Sequence, residues 1–67
     1  MKKPEYTLEA ENIFLEAKKE LKVSDIEIFE LGMQKIRNMI EKETNTEQLD
    51  FLLRVKASFM FMYGKSS

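Results

Sequence analysis

The amino-acid sequence predicts an all-α domain, a three-helix unit with short turns between the helices. Apolar residues recur at spacings of three and four along three segments, and polar breaks with helix-capping residues separate these segments. We place the helices at about residues 5–22, 25–43 and 46–63. Because a chain of 67 residues is too short to hold two independent cores, residues 1–67 are expected to form a single helical domain.

The first helix is predicted from apolar residues that share one face at helical spacing. This face consists of Tyr6, Ala10, Ile13, Phe14, Ala17 and Leu21. Leu8 and Leu15 fall on the opposite side, seven residues apart, and therefore form one outward stripe. Outward apolar residues of this kind indicate a contact site where they cluster.

The second helix has the best-defined start in the chain. Ser24 and Glu27 have the spacing of a capping box, in which Ser24 is the cap. The apolar stripe that follows consists of Ile26, Phe29, Met33, Ile36 and Ile40. Gly32 lies within this stripe, where glycine costs about 1 kcal/mol relative to alanine. Two interpretations stay open: another backbone approaches closely at Gly32, or the helix simply tolerates the residue.

The third helix is apolar nearly all the way round. It follows a polar break in which Thr44, Asn45 and Thr46 are possible caps, and Gly64 is its predicted stop. Its apolar side chains cover roughly 200° of the helix, about twice the minimum stripe of a surface helix. A chain this small leaves roughly 40% of its unfolded-state surface exposed. We therefore expect a second copy to supply the missing cover, which gives a homodimeric helical bundle.

The residues expected at a protein interface lie on the third helix and on outward positions of the first two helices. They are Leu8, Leu15, Leu31, Phe51, Val55, Phe59, Phe61 and Met62. Methionine and aromatic side chains form adaptable partner surfaces, because methionine repacks against different shapes. The expected partners are the chain itself and another protein.

The composition argues against an enzyme. Histidine and cysteine are absent, so a nucleophile lacks its usual base and zinc lacks its usual ligands. We expect no catalytic residue, no cofactor and no metal. The amino terminus lacks the apolar stretch of a signal peptide, and the longest apolar run, Phe59–Tyr63, is too short for a membrane span. We therefore expect a cytoplasmic protein with no membrane partner.

DNA binding is an alternative function. Residues 6–8, the first helix, the turn at residues 22–24 and the second helix follow one another in an order that resembles the ribbon-helix-helix repressors. The resemblance spans about residues 2–40 and implies a dimer that lays a short strand, over residues 2–8, in the major groove. It implies DNA contacts by Lys2, Lys3, Tyr6 and Ser24, with Ser24 beside a phosphate at a helix amino terminus.

The two functions make different predictions for the start of the chain. A strand over residues 2–8 favours the repressor, whereas a helix from Pro4 onward excludes that strand. The net charge of −1 gives no overall attraction to nucleic acid. The sequence thus favours a small non-enzymatic protein-interaction module, a regulator, inhibitor or adaptor, that presents a helical apolar surface and self-associates.

Overall fold

The computed structural model describes residues 4–21 and 24–64. It contains three α-helices, α1 (Glu5–Leu21), α2 (Asp25–Lys42) and α3 (Thr46–Tyr63), and no strand within these described residues. Each helix packs against both others. The predicted three-helix unit is therefore confirmed. Helix α2 ends one residue earlier than predicted, and Lys22, the predicted last residue of the first helix, lies outside the described residues.

Side-chain caps begin α2 and α3, as the sequence predicts. The Glu27 backbone N–H donates to the Ser24 hydroxyl at 3.3 Å. Among the three candidates for the start of α3, Asn45 is the cap, and its side-chain oxygen accepts from the Gln48 backbone N–H at 3.0 Å. The Asn45 backbone N–H in turn donates to the Glu43 carboxylate at 3.1 Å. Both turns are thus fixed by local hydrogen bonds.

The core lies between the three helices and contains no polar residue among those described. Its buried residues are Ala10, Ile13, Ala17, Ile28, Met33, Ile36, Leu52, Val55 and Phe59. Ile26 departs from the predicted stripe of α2, because it is 72% exposed. Ile28, two residues later, is only 1% exposed. Met33, seven residues after Ile26 and on the same side of the helix, is buried, so Ile26 is exposed because it lies in the first turn of α2 and not because its side of the helix faces outwards.

An aromatic cluster joins the helices at one end of the bundle. The Phe59 ring lies 5.3 Å from the Phe29 ring and 5.2 Å from the Tyr63 ring, measured between centroids. The Phe14 ring stacks on Tyr63 at 3.9 Å with an interplanar angle of 8°. This cluster places the start of α2 beside the end of α3, which fits an antiparallel arrangement of these two helices.

Gly32 is the position at which α2 accepts the Phe59 ring. A Cβ atom on Gly32 would overlap Cζ of the Phe59 ring, far inside van der Waals contact. Of the two interpretations left open, close approach is therefore the correct one. The approaching group is an aromatic ring, however, and not another backbone.

The strand that the ribbon-helix-helix resemblance implies over residues 2–8 is wrong for residues 5–8. Residues 5–8 belong to α1, and the Leu8 backbone N–H donates to the Pro4 carbonyl at 3.2 Å. The Thr7 and Ser58 hydroxyl oxygens lie 3.2 Å apart, which ties this turn of α1 to α3. The remainder of the predicted strand, including Lys2 and Lys3, lies outside the described residues.

Candidate functional site

Two of the predicted interface residues belong to the core of the single chain. Val55 and Phe59 are each 0% exposed. They pack with residues of α1 and α2 in the main buried cluster. Since neither side chain reaches the surface, their assignment to a partner interface is corrected: the chain covers them itself.

Three more of the predicted interface residues are half-buried. Phe51 and Met62 pack against the core, and Leu31 of α2 is also partly covered. The remaining three, Leu8, Leu15 and Phe61, are exposed. The structure thus brings most of the predicted α3 residues to the inward side of that helix and leaves Phe61 alone on the outward side.

The outward side of α3 carries a different set of apolar residues. We call this set the α3 ridge, and it consists of Leu49, Leu53, Ala57, Met60 and Phe61. Four of its members follow one another at intervals of four residues, which places them in one continuous row on the helix surface. Met60 is a turn away from Ala57 and widens the row.

The exposure of the α3 ridge is lowest at its first residue and highest at its last. Leu49 is half-buried, Leu53 is 49% exposed, Met60 is 48% exposed and Phe61 is 82% exposed. Phe61 alone therefore places roughly 150 Å² of aromatic side chain in water. Large apolar residues that are exposed next to one another indicate a binding surface more strongly than the same residues scattered singly.

Charged side chains border the α3 ridge and do not interrupt it. Asp50 and Arg54 lie in the adjoining row, and the Arg54 guanidinium donates to the Asp50 carboxylate at 3.1 Å. Lys56, which is half-buried, borders the ridge on its other side. An apolar centre with a charged rim is the usual composition of a protein–protein interface.

The outward apolar residues of α1 have more polar surroundings. Leu15 lines a surface depression together with Glu16, Lys18 and Lys19. Leu8, which is 46% exposed, is separated from Leu15 by two helical turns. These two leucines therefore form a weaker candidate surface than the α3 ridge.

Of the residues assigned to the DNA-binding alternative, the structure describes Tyr6 and Ser24, whereas Lys2 and Lys3 lie outside the described residues. Tyr6 is a half-buried residue of α1 that packs against the core, and Ser24 caps α2. Asp25 and Glu27 lie beside Ser24 in the first turn of that helix and would repel a phosphate.

Among the residues that the structure describes, no charged side chain is buried. Lys35 forms an ion pair with Glu20 at 2.7 Å, which links α2 to α1. Within residues 4–21 and 24–64, no three acidic, histidine or cysteine side chains are grouped so that they could hold a metal ion. In the same ranges, no helix has both the length and the apolar character that a membrane crossing requires.

Sequence reasoning missed Leu53 and Met60 as exposed residues. The sequence places the partner surface of this helix on the side of Phe51, Val55, Phe59 and Met62, which packs in or against the core. A uniformly apolar helix gives no contrast between its two sides, so periodicity alone could not separate them. Of the α3 residues predicted at the interface, Phe61 is the one that is exposed.

Comparison of the chain with protein-family models, with curated proteins and with solved structures finds no match.

Proposed function

We propose that this protein is a non-enzymatic protein-interaction module, a cytoplasmic regulator, inhibitor or adaptor, that works through the α3 ridge. The observation that carries the proposal is the exposure of Phe61, 82%, beside the half-exposed Leu53 and Met60 on one side of a helix. A side chain as large and apolar as phenylalanine is enriched in the centres of interfaces. Its burial against a partner would remove this apolar surface from water.

The chain's composition also supports a binding role. It contains neither histidine nor cysteine, the residues that most often act as general base or thiol nucleophile. The α3 ridge belongs to a helix whose opposite side is packed in the core, so its shape is fixed before a partner arrives. A preorganised surface binds with a smaller loss of conformational entropy than a flexible one.

The proposal is tested by capture of partners with tagged protein in an extract of the encoding organism. The Phe61→Asp variant places a charge at the most exposed point of the α3 ridge, and Asn38→Asp makes a comparable change at an exposed position of α2. We expect proteins that the unchanged chain and Asn38→Asp both retain, and that Phe61→Asp loses. Circular dichroism of each variant checks that the helices are intact.

The opposite result is equally clear. A set of captured proteins that is the same for Phe61→Asp and for the unchanged chain would contradict a role for the α3 ridge. If Leu8→Asp removed the partner instead, the interaction surface would lie on α1.

A further inference from the structure

The α3 ridge carries a small residue, Ala57, midway between two large exposed ones, Leu53 and Phe61. We propose that two chains associate through their α3 ridges, with the two helices antiparallel and the twofold axis at Ala57. This inference rests on the proposed function, because it names self-association as one interaction of the same surface. Most homo-oligomers are twofold symmetric dimers, in which one patch meets its own copy.

The order of large and small side chains favours an axis at Ala57 over one at Leu53. With the axis at Ala57, the small Ala57 side chains meet at the centre, where they allow close approach of the two helices. Leu53 of each chain then lies opposite Phe61 of the other, so both large residues are covered. An axis at Leu53 would instead place Phe61 opposite the polar Asn45 and leave the ring uncovered.

The charges beside the α3 ridge favour the antiparallel direction. With the axis at Ala57, Arg54 lies opposite Met60, and its aliphatic stem can cover the thioether while the guanidinium remains in water. Asp50 lies opposite Gly64, so no two like charges face each other across the axis. Parallel helices would pair Asp50 with Asp50 and Arg54 with Arg54, which is unfavourable. Antiparallel helix dipoles add to this preference.

The size of the α3 ridge determines how tightly the two chains associate. Phe61, at 82% exposure, together with the half-exposed Leu53 and Met60, provides a patch of a few hundred Å². A stable complex buries about 800 Å² on each partner. We therefore expect a reversible dimer whose population increases with concentration, rather than a permanent one.

The first part of the test is sedimentation equilibrium of the full chain from about 10 µM to about 1 mM, the range in which weak association is populated. We expect the average mass to increase from that of one 8.0 kDa chain towards twice that value. Phe61→Asp should remain monomeric over the same range, and Asn38→Asp should behave like the unchanged chain.

The second part uses the absence of cysteine, because a single introduced cysteine reports a single contact. Ala57→Cys lies on the proposed axis and should form an intermolecular disulfide at least ten times faster than Asn38→Cys. Two Leu53→Cys residues would be separated by about 12 Å along the antiparallel helices, too far for a disulfide. Leu53→Cys should therefore be as slow as Asn38→Cys, and sedimentation of the reduced variant checks that it still associates.

Three results would overturn the inference. They are a monomer throughout the concentration range, a dimer that Phe61→Asp leaves unchanged, and a disulfide at Leu53→Cys as fast as at Ala57→Cys, which indicates parallel helices. A monomer that still captures a Phe61-dependent partner would refute the α3–α3 dimer alone. If the chain is monomeric and also captures no Phe61-dependent partner, the proposed function is refuted as well.

Discussion

The two sides of α3 are both apolar, but they have opposite environments. On the inward side, Val55 and Phe59 are 0% exposed, whereas on the outward side Leu53 is 49% exposed and Phe61 is 82% exposed. The difference shows that hydrophobicity does not decide which side of a helix enters the core. The side of α3 that enters the core is the one whose side chains fit against α1 and α2.

The largest expected effect separates the two phenylalanines of α3. Phe59→Ala should lower the free energy of unfolding by about 3–5 kcal/mol, because it leaves a cavity among the rings of Phe14, Phe29 and Tyr63. Phe61→Ala, at an exposed position, should change it by less than about 0.5 kcal/mol. Urea denaturation followed by circular dichroism measures both.

A small domain has limited stability, so Phe59→Ala is expected to be partly unfolded already in water. Phe59→Leu provides a milder version, with an expected loss of about 1–1.5 kcal/mol. Equal losses for changes at Phe59 and Phe61 would show that the two sides of α3 are not distinguished as described.

The next effect tests why Phe59 is on the inward side. Gly32→Ala should lower the free energy of unfolding by about 1–2 kcal/mol, because the new methyl group overlaps the Phe59 ring and this outweighs the better helix propensity of alanine. Asn38→Ala, at an exposed position of the same helix, should instead raise it by a few tenths of a kcal/mol.

Coupling between Gly32 and Phe59 sharpens this prediction. In the Phe59→Leu background, which provides space, Gly32→Ala should be less destabilising than in the unchanged chain, and a double-mutant cycle measures the difference. A stabilising Gly32→Ala in the unchanged chain would show that the ring does not depend on the space at Gly32.

A smaller loss of stability is expected at the start of α3, where the change removes one exposed capping hydrogen bond. Asn45→Ala removes the acceptor of the Gln48 backbone N–H and should lower the free energy of unfolding by about 1 kcal/mol. Thr44→Ala, one residue earlier, is the matched control and should have little effect. If thermal unfolding shows equal losses for both variants, the assignment of Asn45 as the cap is incorrect.

The smallest effect concerns the rim of the α3 ridge. Asp50→Asn removes the exposed ion pair with Arg54, which spans four residues of α3, and should lower the free energy of unfolding by about 0.3–0.5 kcal/mol. The loss should disappear when the comparison is repeated in about 1 M salt, because salt screens exposed charges. A loss that persists in high salt would indicate that Asp50 contributes by other means.

Local features of this fold were predictable from the sequence, whereas the orientation of α3 was not. The capping box at Ser24, the polar break that contains Asn45, and most of the inward faces of α1 and α2 depend on residues a few positions apart, and such spacing can be read along the chain. Gly32 and Phe59 belong to different helices. Only the packing of these helices shows that the space left by the missing side chain of Gly32 accommodates the Phe59 ring. Leu53, Met60 and Phe61 lie on the side of α3 away from that contact, and because periodicity did not show which side of α3 packs inwards, the candidate surface was only partly predicted.

The stacking of Phe14 on Tyr63 has a consequence for the order in which the chain folds. These residues are 49 positions apart in sequence, and their rings stack only after α3 has been completed to its last residue. Contacts between α1 and α2 close a much shorter loop and therefore form earlier on average. During synthesis on the ribosome, α1 and α2 emerge before α3, so their core-facing residues lack their contacts with α3 until that helix emerges.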